Sequence, residues 1–315
     1  MPELQAQLDR IINELIKSEN SLFHCHVSVK KVKDAQSKLN KDKNDGKGKT
    51  SSNHYIYASH RFICMFSLLL RMMLVHGYTV QERCFSIIVS IPKDFKDGLC
   101  DSSNYRGIAL GSALCKAEDH FIISQYSELL KTSDYQFASK EGHSTAMCTT
   151  VLKGTISYYV SNNSNVYACM LDASKAFDRV HFGILFRLLL RRKMPAVIIR
   201  FILHGYRRQL LCTERNGIMS QPFSTLNGMK QGSIMSTVLF NLYRDKLLIR
   251  LKENGIGCHI GKRFASAFAY ADDVTLLSPS LKGLQNMLNV CQKYSRDYHM
   301  IFNQKKFFVL NLVRL

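Results

Sequence analysis

Phe268-Ala269-Tyr270-Ala271-Asp272-Asp273-Val274-Thr275-Leu276-Leu277, near the far end of a 315-residue chain, is the stretch whose reading decides the fold. Two adjacent carboxylates stand between two apolar runs, the second rich in β-branched and large aliphatic residues. That pattern predicts two buried strands joined by a tight turn at the acids. A buried, unpaired carboxylate is costly and two neighbouring anions repel each other, so the arrangement calls for a cation, with a divalent metal as first candidate. An Asp-Asp pair by itself also fits a solvated hairpin turn. The residues elsewhere in the chain decide between the two readings.

Composition narrows the partner class. With 46% hydrophobic residues the chain can bury a sizeable core. Its 43 Lys and Arg against 24 Asp and Glu give a formal charge of +19. Nucleic acid is therefore the leading partner class, although an anionic membrane would also attract such a surface. The ten cysteines stand singly, without the Cys-x-x-Cys spacing of a zinc site, and read as reduced core thiols. The start, Met1-Pro2-Glu3-Leu4, lacks the basic-then-apolar pattern of a secretory leader. The longest apolar run, Phe66 to Val75, is cut by Arg71 and is too short to span a bilayer. An intracellular protein of nucleus or cytoplasm, neither secreted nor membrane-bound, is the expectation.

Working back from the hairpin, Gly228-Met229-Lys230-Gln231-Gly232-Ser233 reads as a glycine turn that runs into an apolar helix. Val166 to Leu171 reads as a buried strand ending in Asp172, and the following segment turns towards a helix over residues 184–193. An acid at the end of a buried strand can present a metal ligand, though it also serves as a helix cap. Phe85 to Ile91 is a strand stopped by Pro92, and Asn104 to Leu110 a second one. Lys93 and Arg106 then face each other on neighbouring strands or strand ends, where two cations could take a triphosphate. Helical spacing covers residues 3–17, 27–39, 56–76, 114–130 and 146–160. Gly77 closes the third of these, and the polar, lysine-rich residues 40–53 form a basic loop.

Taken in order, the cationic strand pair, the strand-terminal acid, the Gln-Gly helix start and the Tyr-Ala-Asp-Asp hairpin resemble the reverse transcriptase of a non-LTR (LINE-type) retrotransposon. The likeness runs from about residue 85 to 306. Family motif A is similar to residues 171–180, motif B to 228–243, motif C to 268–277 and motif D to the stretch near 303–306. Gln136 to Thr145 resembles the signature that precedes motif A. The resemblance implies an α+β right-hand polymerase fold with fingers and a palm built on a mostly antiparallel sheet. Residues 1–75 would form a helical, basic extension leading into fingers and palm over 76–315.

The implied activity is RNA-directed DNA synthesis, in which a primer 3′-hydroxyl attacks the α-phosphate of a dNTP on an RNA template. Two Mg²⁺ ions, replaceable by Mn²⁺, would assist, and hard cations require oxygen ligands. By resemblance, Asp172 and Asp272 bridge the ions, Asp273 supports them and the main-chain carbonyl of Ala173 is a further ligand. Phe177 matches the bulky position that blocks a ribose 2′-hydroxyl; its other reading is a core aromatic. Gln231 and Gly232 match the motif under the incoming nucleotide, with Gly232 allowing close backbone approach. Lys93 and Arg106 match triphosphate-binding positions in the fingers. Lys306 fits the lysine that protonates the pyrophosphate leaving group. The resemblance leaves protein partners open.

Three positions depart from the family pattern: Arg106-Gly107 for Arg-Pro, Ser236-Thr237 for Ser-Pro and Ala138-Ser139 for Gly-Phe. None removes a metal ligand. The sequence given stops soon after motif D, which leads to the expectation of a truncated or decayed copy without a thumb. The alternative function is then a catalytically silent, nucleic-acid-binding remnant.

Overall fold

Eleven strands are described, and most of the longer ones fall on apolar runs. They are β1 (Phe85–Pro92), β2 (Tyr105–Leu110), β3 (Val166–Leu171), β4 (Leu210–Arg215), β5 (Ile218–Met219), β6 (Phe223–Ser224), β7 (His259–Ile260), β8 (Arg263–Phe264), β9 (Ala267–Tyr270), β10 (Asp273–Ser278) and β11 (Phe308–Leu312). The computed structural model describes residues 2–18, 26–44, 50–94, 100–101, 104–225, 227–303 and 308–312. The chain divides into two compact units that interleave in sequence. One is formed by Met1–Leu130 and Phe182–Thr237, the other by Lys131–His181 and Val238–Leu315.

In the first unit, β1 and β2 pair antiparallel with Ile91 opposite Arg106 and Pro92 opposite Tyr105. β4 joins the other edge of β1 in parallel, and β5 and β6 both pair with β4. The helix Ala196–Arg207 buries an almost continuous apolar run from Ala196 to Leu203, and Phe182–Arg191 buries Leu185, Phe186, Leu188 and Leu189. The helix predicted over 56–76 starts only at His60 and runs to His76, and a separate short helix, Ser52–Ile56, precedes it and takes in the end of the predicted basic loop. Ser59 causes the restart: its hydroxyl accepts the N–H of Phe62 as an N-cap. Gly77 ends the longer helix in the left-handed region, at φ +62, where a Cβ would also collide with the side chain of Arg200. The helix predicted over 114–130 is broken after Gln125, with a separate one-turn helix over Ser127–Leu130.

The second unit holds an all-antiparallel sheet in the order β11-β3-β10-β9. One short segment extends it: Phe137 N–H donates to Ala269 and Ala269 N–H to Tyr135, a parallel bridge beyond β9. The helix Thr145–Ser161 sets Cys148, Leu152, Ile156 and Tyr159 against the core formed by Phe137, Val166, Ala168, Cys258, Phe268 and Leu277. The helix Leu281–Tyr298 buries Leu284, Met287, Cys291 and Tyr294 at spacings of three and four, and it packs on β10 and β3. The C-terminal part of the helix Ile234–Asn254 is locked to it: Tyr243 hydroxyl donates to Tyr298 carbonyl and Tyr294 hydroxyl to Tyr243 carbonyl. Among the described residues no helix is long and apolar enough to cross a membrane.

Candidate active site

The hairpin forms as its pattern predicts. Tyr270 pairs with Asp273, so Ala271 and Asp272 are the two loop residues. Ala271 lies at φ +54, a left-handed conformation that is strained for a residue with a Cβ. Something must hold it there, and the side chain of Gln136 does. Its Oε1 accepts the N–H of Ala271 at 3.2 Å and its Nε2 donates to the Ala271 carbonyl at 3.4 Å. Gln136 is completely buried, and its backbone sits next to β9 through the parallel bridge.

β3 brings the third acid to the same place. Leu171 is paired with Val274, so the next residues outward on the two strands are Asp172 and Asp273, with Asp272 beside them in the turn. Asp172 and Asp272 are half-buried and Asp273 is exposed. Asn303 fixes Asp172 from the far side: its N–H donates to the Asp172 carbonyl at 2.8 Å and its Nδ2 lies 3.4 Å from Oδ2. Ala173 bridges Phe302, but the flanking hydrogen bonds use the Asp172 carbonyl and the Ser174 N–H. The Ala173 carbonyl takes no part in that ladder.

Do these groups suit a divalent cation? Among the described residues no three or more His, Cys, Asp or Glu side chains converge closely enough to hold one ion. The donors in question, Asp172, Asp272, Asp273 and the Ala173 carbonyl, are all oxygens, the ligand type that Mg²⁺ takes. That ion is commonly held by one or two carboxylates while water and substrate phosphate fill its other positions.

Behind the turn lies Arg244, on the helix Ile234–Asn254. It is 1% exposed, and its Nη2 donates to the Asp272 carbonyl at 2.8 Å. Burial pushes its pKa down, opposed by Tyr294, Asp272, Cys291 and Asp273. The same helix supplies Phe240, whose ring stacks on that of Phe177 at 4.3 Å between centroids. Phe177 is half-buried, so it is only partly a core aromatic.

The other predicted residues lie in the first unit. Arg106 is exposed on β2; Lys93, also exposed, follows β1, with its N–H on the Asn104 carbonyl at 2.7 Å. The strand pair thus sets the two cations near one end of a ladder. The Gln231 carbonyl accepts the Ala109 N–H at 2.6 Å, which docks the Gln-Gly turn on β2. Gly232, at φ +108, comes so close to β2 that a Cβ would sit 2.7 Å from the Ala109 oxygen. In the structure, the close approach this glycine permits is to the strand. Thr237, where the pattern has proline, donates its N–H to Ser233 at 3.2 Å. Lys306 lies outside the described residues.

Gln136, Arg244 and Asn303 were not among the predicted site residues. For Arg244 the signal was available, as a charge among Leu239, Phe240, Leu242, Tyr243 and Leu247 on a buried helix. Gln136 and Asn303 lie in stretches quoted for their likeness, but their contacts depend on long-range pairing.

Residues 91–311 match the model of the family described as reverse transcriptase (RNA-dependent DNA polymerase). The chain belongs to that family. Among curated proteins it is 28% identical over 252 residues to the Pol polyprotein of the type-1 retrotransposable element R2 of Nasonia vitripennis, covering 79% of this chain and 24% of that protein. It is 30% identical over 146 residues to that of R2DM of Drosophila melanogaster, covering 46% and 14%. These relatives come from non-LTR retrotransposons, and the chain spans less than a quarter of the length of either. Of solved structures, a Candida tropicalis telomerase truncated from its C-terminal domain superposes with a TM-score of 0.51 at 12% identity, over 80% of this chain and 56% of that one. A Candida tropicalis telomerase in complex with a fragment of telomeric RNA gives 0.52 at 11%, over 80% and 45%. The fold is the right-hand polymerase fold, with the β11-β3-β10-β9 sheet as its antiparallel palm.

Proposed function

We propose that this chain carries the catalytic core of an RNA-directed DNA polymerase, transferring nucleotides from dNTPs to a primer 3′-hydroxyl on an RNA template. The observation that carries the reading is the register of β3 against β10, which puts Asp172 at the strand end where the Asp272–Asp273 turn stands. Membership of the family and the basic charge of the chain support it.

Asp172 and Asp272 would hold Mg²⁺, with Asp273 and the Ala173 carbonyl as further ligands; bound there, the metal would stabilise charge on the attacking and leaving oxygens. Gln136 and Asn303 keep the carboxylates in place before substrate arrives, so the site needs little rearrangement. Phe177, backed by the ring of Phe240, presents a rigid edge that would exclude a ribose 2′-hydroxyl. Lys93 and Arg106 would take the triphosphate, and Gln231 and Gly232 would lie under the base. Lys306 would give a proton to pyrophosphate.

Primer extension on an RNA template with Mg²⁺ and dNTPs tests the reading. Wild type should extend, Asp272→Ala should not, and Phe177→Val should admit ribonucleotides. Salt-dependent binding of nucleic acid with no extension at any primer length would instead establish the binding remnant.

A further inference from the structure

We propose that Arg244 is a built-in countercharge for the Asp272–Asp273 turn, a fixed cation that anchors the turn and holds down its affinity for divalent metal. The proposal rests on reading the three aspartates as metal-binding carboxylates.

Arg244 lies wholly inside the second unit, on a stretch of helix where Leu239, Phe240, Leu242, Tyr243 and Leu247 are also buried. A charge taken out of water at such a position needs carboxylate partners, yet its hydrogen bond is to a main-chain carbonyl, that of Asp272. Nε and Nη1 are buried and meet no partner among the described residues. The guanidinium lies 5.6 Å from the centroid of Phe302, the residue that bridges Ala173, so it neighbours the strand partner of the Asp172 segment as well as the turn. The carboxylates whose fields act on it are those of Asp272 and Asp273. An arginine placed only to stabilise the fold would be costly here; a methionine of similar reach would fill the space without burying charge. What the charge does is oppose a second cation at the same carboxylates. It lets the two adjacent acids coexist without metal, and it makes metal binding weaker and more dependent on the phosphates that substrate brings.

The test is a Mn²⁺ titration of the full chain without nucleic acid, followed by electron paramagnetic resonance, on wild type, Arg244→Met, Arg244→Lys and Asp272→Ala. Arg244→Met should bind Mn²⁺ more tightly, by roughly tenfold or more for loss of a nearby unit charge. Arg244→Lys should stay near wild type. In primer extension, Arg244→Met should saturate at lower Mg²⁺ but reach a lower plateau, because the Asp272 carbonyl has lost its donor. A residue serving structure alone would give weaker or unchanged Mn²⁺ binding, and either result overturns the proposal. Should Arg244→Met not fold, Arg244→Gln is read by the same criterion. If Asp272→Ala binds Mn²⁺ like wild type, the carboxylate reading itself falls; if it abolishes binding while Arg244→Met changes nothing, the countercharge alone falls.

Discussion

Each unit of this chain holds an arginine largely out of water, Arg83 in the first and Arg244 in the second, and the two are treated in opposite ways. Arg83, in the first unit, bonds the carboxylate of Glu118 and reaches Asp119 at 3.3 Å, and it lies over the ring of Phe201 at 4.5 Å. Asp119 also accepts the Ser233 hydroxyl at 3.1 Å and the Met235 N–H at 3.4 Å, so the cluster fastens the Gln231–Gly232 turn to the helix Ala113–Gln125. Arg244, in the second unit, has a carbonyl for its partner and leaves two of its nitrogens unbonded among the described residues. The first cation is neutralised inside its own cluster and holds a framework. The second has charge to spare, directed at a turn whose acids belong to the candidate chemistry.

The sharpest way to break this contrast is Arg83→Met. It would leave Glu118 and Asp119 buried without their cation, and should cost about 3–5 kcal/mol in urea unfolding. Arg244→Met should instead leave stability within about 1 kcal/mol of wild type, since a partly satisfied buried charge is exchanged for packing. Equal losses in the two variants would erase the distinction. Next in size is Gln136→Leu, which strips the Ala271 N–H and carbonyl of their buried partner. About 1–3 kcal/mol is expected, with primer extension falling further than stability because the strained turn is no longer held.

The smallest effect concerns pH. Burial raises the Glu118 carboxyl above its ordinary value, against the opposing pull of Arg83. The folded state therefore holds that proton more tightly than the unfolded chain. The stability it contributes is full below the ordinary carboxylate range and is lost as pH rises through the raised value. Glu118→Gln should flatten that slope in unfolding midpoints measured across the same window, and a slope unchanged by the substitution would place its origin elsewhere.

How much of this was legible beforehand follows the range of the interactions. The hairpin, the strand ending at Leu171 and the glycine at position 77 each rest on residues close in sequence, where alternation, apolar runs and φ preference act directly. The later start of the helix predicted over 56–76 was also local; Ser59 three residues before Phe62 was its signal. The helix Leu281–Tyr298 had a comparable signal in Ser280, whose hydroxyl accepts the Gly283 N–H, and in its apolar spacing. β4 and β11 carried only short apolar runs, Leu210-Leu211-Cys212 and Phe308-Val309-Leu310, which do not name a partner; β4 pairs with β1 and β11 with β3, both across more than a hundred residues of chain.

By itself the sequence determined the identity and order of the candidate acids, the hairpin that carries two of them and the family to which the chain belongs, since these depend on residue type and local spacing. Only the tertiary structure decided what holds the acids. Gln136, Arg244 and Asn303 reach Ala271, Asp272 and Asp172 from 28 to 135 positions away. A hydrogen bond across such a separation exists only once the sheet has paired and the helix has packed, because the order that brings donor to acceptor belongs to the fold as a whole.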